Sequence, residues 1–121
     1  MKQTLKVYGY RKCDTCRKAY AFLTKQGLAF AEVDITEQAP TLAELKSMLA
    51  AQDGALKSLF NTSGQAYREL GGAAKLATLG EAEALRLLAA NGRLVKRPFL
   101  LIGGKGATVG LKVDVWKRLL D

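Results

Sequence analysis

The chain has 121 residues, 49% hydrophobic and 25% charged, with 19 Lys+Arg against 11 Asp+Glu and a net charge of +8. That length fits one domain with a core of its own, and no run approaches the roughly 20 apolar residues of a bilayer span. There are two cysteines and no histidine, so a single Cys-x-x-Cys cannot complete a four-ligand zinc site, and no imidazole is present to act as base. Any nucleophile must therefore be activated by fixed positive charge or by a helix dipole. The polar start Met1 to Lys6 has no apolar signal region, and a cytoplasmic chain is expected. The basic surplus favours an anionic partner, but the charges are spread along the chain, without a Lys/Arg tail or a basic ribbon interleaved with aromatics. Direct nucleic-acid binding is not expected.

Leu5 to Tyr8 reads as a first strand, and Gly9 to Lys12 as the turn that delivers Cys13. Cys16, Ala19, Tyr20 and Leu23 then recur at helical spacing, with Gly27 as the stop. Ala31, Val33 and Ile35 alternate with Glu32 and Asp34, the period of a half-buried strand. Thr41 to Glu44 has the form of a capping box and opens a helix to about Ala51, which Asp53-Gly54 ends. Residues 55–95 read as short helical pieces. The clearest is Glu81 to Ala90, with Ala84, Leu85 and Leu88 on one face and Asn91-Gly92 closing it. Phe99 to Ile102 is continuously apolar, as in a strand buried on both faces. Gly103 to Gly106 reads as a tight turn and Thr108 to Leu111 as the matching strand. Val113, Trp116 and Leu120 mark a closing amphipathic helix.

The order is β-α-β, a long helical excursion, then β-β-α. With Cys-x-x-Cys at the first strand-to-helix turn and a proline before a later strand, this predicts an α/β thioredoxin- or glutaredoxin-like domain. It would have a mixed sheet of about four strands and a helical insertion between the second and third. One domain spans 1–121, with its core at about 1–40 and 93–121 and the insertion at about 41–92.

Cys13 falls at the helix start, where unpaired N–H groups and the macrodipole favour an anion. A thiol there ionises more easily, and the thiolate is the nucleophile. Arg11, Lys12 and Arg17 can add positive charge, and Asp14 works weakly against them. Cys16 lies one turn on, aligned with the buried stripe. Cys13 is thus expected to be exposed and to attack, and Cys16 to be sheltered and to resolve a mixed disulfide. Two core cysteines flanking a polar Asp-Thr would be poor core patterning. Arg97-Pro98 is the second constellation. A cis bond there would bring the proline loop against the cysteines and aim the Arg97 guanidinium at Cys13, as a fork for a thiolate, carboxylate or oxyanion. Asn61-Thr62-Ser63-Gly64 reads either as a turn or as a substrate contact.

Cys13-Asp14-Thr15-Cys16-Arg17-Lys18-Ala19, Leu59 to Gly64, Tyr67-Arg68-Glu69-Leu70, Lys96-Arg97-Pro98 and Val109-Gly110 together resemble the arsenate reductase (ArsC)-like family. The likeness is greatest to its Spx/MgsR-type branch and runs over essentially the whole chain. It implies a nucleophile at Cys13 and a functional arginine at Arg97. Arsenate-reducing members are similar at those two positions, but they place further arginines where this chain has Asn61 and Val109-Gly110, with Lys105 as a nearby charge. Two missing guanidinium forks, at about 1.5–3 kcal/mol each, leave a weak arsenate reductase at most. The leading expectation is a thiol–disulfide oxidoreductase with glutathione or a protein thiol as co-substrate, acting as a monomer. No bound cofactor or metal is expected. Substrate contacts are expected from Arg11, Lys12, Asn61, Pro98 and Lys105. The resemblance also implies an alternative, a redox-sensing regulator that binds RNA polymerase through the Asp53-Gly54 turn.

Overall fold

One mixed sheet has the strand order β2-β1-β3-β4 in a computed structural model that describes residues 4–120. Met1 to Gln3, part of the polar start, and Asp121 lie outside the described residues. The strands are β1 (Leu5–Gly9), β2 (Ala31–Asp34), β3 (Phe99–Ile102) and β4 (Lys105–Val109). β1 runs parallel to β2 and antiparallel to β3, and β3 runs antiparallel to β4. Among the described residues six α-helices accompany the sheet: α1 (Asp14–Lys25), α2 (Leu42–Ala51), α3 (Gln65–Leu70), α4 (Gly72–Leu76), α5 (Glu81–Ala90) and α6 (Val113–Leu120). Short 3-10 turns occupy Leu56–Leu59 and Gly92–Leu94. The fold is thioredoxin-like, with the helical excursion between β2 and β3. Among the described residues no helix is long and apolar enough to cross a membrane.

The two-residue period of the central strands divides the core. Leu5 and Val7 of β1 and Leu100 of β3 turn to one face, where they pack with Ala19 and Leu23 of α1 and Trp116 of α6. Tyr8, Phe99 and Leu101 turn to the other, against Leu45, Met48 and Leu49 of α2 and Leu85 and Leu88 of α5. Fully burying side chains of this size contributes roughly 1.5–3 kcal/mol each. The two faces are thus clad by different helices, with β1 packed between them. Thr41 caps α2 with a complete capping box. Its Glu44 also accepts from the buried Tyr8 hydroxyl at 2.7 Å and pairs with Lys6 at 3.2 Å, which ties α2 to β1.

Four expectations are corrected by the packing. Ala31 is exposed, because β2 is an edge strand with one neighbour. Gly103-Gly104 alone makes the β3–β4 turn, both at positive φ, so β4 begins at Lys105 rather than Thr108. Gly92 is not a left-handed helix stop. It is buried where any Cβ would strike the Ile35 carbonyl, and close approach is what requires glycine there. Val113 is 42% exposed, while Trp116 carries the buried face of α6.

Candidate active site

The β1–α1 turn places both cysteines at one end of the central strand. The Cys13 N–H donates to the Tyr10 carbonyl at 2.9 Å, and the Cys13 carbonyl accepts from Arg17 N–H at 3.0 Å. Cys13 itself is the N-cap of α1, with extended backbone (φ −92°, ψ 120°). Its Sγ takes the place of a capping oxygen and accepts from the Cys16 N–H at 3.4 Å. A sulfur held in this way already faces an unpaired helix donor, which is stronger as an acceptor when ionised. Cys13 is half-buried, and Cys16, on the inner face of α1, is fully buried.

The two thiols titrate in opposite directions. Burial opposes the Cys13 anion and is the largest single influence. The Cys16 thiol and backbone N–H, together with the Arg97 guanidinium, outweigh it, and Cys13 falls below the ordinary thiol value. Burial, followed by the neighbouring Cys13, pushes Cys16 up to about 12. At neutral pH the pair therefore consists of an ionisable outer sulfur and a protonated inner one.

Arg97 reaches this site from the loop before β3. The Arg97-Pro98 bond is cis, and the guanidinium lies 5.7 Å from the centre of the Tyr10 ring, a cation–π contact on the same turn that delivers Cys13. Pro98 is buried, and its carbonyl accepts from Gly110 N–H at 2.8 Å. Asn61 is carried to the neighbourhood of Arg97 by strand-like pairing: Asn61 N–H donates to Leu94 O at 2.7 Å, and Lys96 N–H to Leu59 O at 2.8 Å. Asn61 and Arg97 line one cleft of about 340 Å³ with Gln65, Glu69, Asn91 and Arg93. The Asn61 side chain also folds against Gly64, so the Asn61 to Gly64 run is at once a turn and a cleft wall. Among the described residues neither Arg93 nor Arg97 forms an ion pair.

The other cations are placed differently. Arg11 makes a two-pronged pair with Glu32 (2.8 and 3.1 Å), and Arg17 pairs with Asp14. Lys12 is exposed and lines, with Arg11 and Tyr20, a separate cleft of about 300 Å³. Lys105 is a correction. Ile102 pairs with both Leu5 and Lys105, so Lys105 sits at the Leu5 end of the sheet, and Cys13 follows Gly9 at the opposite end. Its charge is not available to the cysteines. Arg93 was not singled out in the sequence, where its spacing of four residues from Arg97 was the available signal.

A four-stranded mixed sheet with Cys-x-x-Cys at its first strand-to-helix turn and a cis X-Pro step before β3 defines a thioredoxin-like protein of the thiol-bearing class. Residues 8–119 match the ArsC family, and the chain belongs to it. YusI of Bacillus subtilis is 46% identical over 95% of this chain and 97% of its own length. The regulatory protein MgsR of the same organism is 29% identical over 91% of this chain and 85% of its own. Among solved structures, a Streptococcus mutans protein described as a possible arsenate reductase superposes with a TM-score of 0.88. It is 38% identical, and the match covers 98% of each chain.

Arg97 is expected to control the shape of the pH–rate profile rather than the fold. Removing its charge in Arg97→Ala should move the Cys13 titration upward and, well below both midpoints, lower the thiolate fraction by about fivefold, for a partly exposed pair worth about 1 kcal/mol. Thiolate nucleophilicity rises with pKa at a slope of about 0.4–0.5, so the alkylation rate should fall only about two- to threefold. Above both midpoints the variant should react faster than wild type, and the two profiles should cross. Arg97→Lys should fall between them, since an ammonium lacks the planar fork. Superimposable profiles would remove Arg97 from the site.

Proposed function

We propose that the chain is a thiol–disulfide oxidoreductase in which Cys13 attacks and Cys16 resolves, with glutathione or a protein thiol as its partner. The observation that carries this reading is the split of the two sulfurs: one half-exposed and acidified at a helix start, the other buried and protonated one turn away. The Cys13 thiolate attacks one sulfur of a substrate disulfide, and the other sulfur leaves as a thiolate. Cys16 then attacks Cys13, and the second substrate sulfur leaves, taking up the proton that Cys16 gives to solvent. The pair ends oxidised and the substrate reduced. Two external thiols restore the dithiol and become a disulfide themselves. Arg97 and Arg93, which form no ion pair among the described residues although Glu69 shares their cleft, suit a carboxylate-bearing thiol such as glutathione.

A second reading draws on MgsR, which is named as a regulatory protein. In a regulator the same disulfide would act as a switch, and the turn after α2, with Asp53 at φ 57° and Gly54 at φ 78°, would face RNA polymerase. Arsenate reduction is the weakest reading. Asn61 offers an amide in place of a guanidinium, and Gly110 has a left-handed φ of 73° with the Lys96 side chain against it. Purified chain supplied with glutathione and a disulfide substrate should turn over, with oxidised glutathione as product. Failure of turnover alongside co-purification with RNA polymerase would favour the regulator.

A further inference from the structure

Tyr20 lies one turn beyond Cys16 in α1, with its ring stacked on Phe30 at 5.7 Å and an interplanar angle of 10°. Its hydroxyl is buried and has no hydrogen-bond partner among the described residues. Such a group is costly to keep where phenylalanine would stack as well. Gly9 shows what the hydroxyl faces. A Cβ added there would collide with Tyr20 Oη and lie 3.3 Å from Cys16 Sγ, so the missing side chain leaves these two polar atoms converging on one small space. The groups that weigh most on Cys16 are Cys13, the Tyr10 backbone N–H, which faces the sulfur as a donor, and the Arg97 charge. Arg11 and Glu32, paired with each other, line the second cleft together with Gly9 and Tyr20, and both act on the phenol, but neither is bonded to its hydroxyl.

We propose that the Tyr20 hydroxyl is a hydrogen-bond donor to the Cys16 sulfur, beside the Tyr10 backbone N–H, while that sulfur carries negative charge, in both closing and opening of the Cys13–Cys16 disulfide. The inference rests on the thiol–disulfide reading and deepens it. In closing, the S–H bond of Cys16 breaks, its proton passes to solvent, and its sulfur forms a bond to Cys13 as the bond from Cys13 to the substrate sulfur breaks. The substrate leaves as a thiolate and is reprotonated by solvent. In opening, an incoming thiolate bonds to Cys13 and Cys16 leaves as a thiolate, accepts from Tyr20 O–H, and then takes a proton from solvent. Tyr20 keeps its own proton throughout. Burial, with the Cys16 charge next to contribute, holds the phenol above its ordinary value. A buried thiolate with a single backbone donor is poorly solvated, and that cost falls on the resolving step.

Tyr20→Phe deletes one oxygen and keeps the stack. In a stopped-flow reaction with glutathione disulfide, closing of the internal disulfide should slow by at least about tenfold, the lower end of what a hydrogen bond to a charged group is worth. Opening by glutathione should slow by the same factor. The rate and pH midpoint of Cys13 alkylation should not change. Gly9→Ala, which displaces the hydroxyl without removing it, should slow closing in the same way. Equal closing rates in wild type and Tyr20→Phe overturn the assignment while leaving Cys13 and Cys16 their roles. Slowing matched by an equal loss of Cys13 alkylation also overturns it, because that pattern is general damage to the site. A wild-type chain that never closes the disulfide overturns the thiol–disulfide reading and the Tyr20 role together.

Discussion

Cys13→Ser is expected to abolish turnover of disulfide substrates, lowering it by at least about a thousandfold. A serine hydroxyl can accept the Cys16 N–H as the sulfur does, so α1 keeps its cap and the fold should be unaffected. What is lost is ionisation: nothing near this position, helix terminus and Arg97 included, brings an alcohol into the neutral range. The check is the coupled assay with glutathione, run beside a thermal melt. A folded variant that retains activity would remove Cys13 from the reaction. Unchanged melting with no activity would assign the loss to chemistry rather than to packing.

The second large effect separates the two classes of substrate. In Cys16→Ser the first attack still occurs, but the mixed disulfide on Cys13 has no neighbour to resolve it. Replacing an oriented intramolecular attack with external thiol at millimolar concentration should slow reduction of protein disulfides by at least about a hundredfold. Mixed disulfides with glutathione need only an external glutathione for the second step and should lose far less. Serine keeps a hydroxyl that can donate to the Cys13 sulfur in place of the Cys16 thiol, so the alkylation midpoint of Cys13 should stay below the ordinary thiol value, whereas Cys16→Ala, which deletes that donor, should raise it. Turnover that is equal for both substrate types in Cys16→Ser would show that the inner cysteine has no resolving role.

The features of this site that could be read from the sequence are those fixed by short-range pattern. The Thr41–Glu44 box, the buried run Phe99 to Ile102, and the placement of Cys13 ahead of a helical stripe all depend on neighbours within a turn or a strand. Strand pairing is different. Lys105 follows a glycine pair and looked close to the site, but the two-residue hairpin Gly103-Gly104 sends it to the far end of the sheet. No local signal gives the direction in which β3 crosses β1. Arg93 enters the cleft only because residues 59–61 pair with 94–96, a contact between segments more than thirty residues apart. Tyr20 fits the apolar stripe by its ring. Its hydroxyl gains meaning from the space at Gly9, on another element.

The division of labour between the cysteines is tested most directly by intact-mass analysis of wild-type chain sampled over time after mixing with glutathione disulfide. The account predicts an early adduct of one glutathione on Cys13, replaced by a monomer two hydrogens lighter than the reduced chain with the Cys13–Cys16 bond closed. An adduct on Cys16, or a persistent adduct on Cys13 with no internal disulfide, would contradict it.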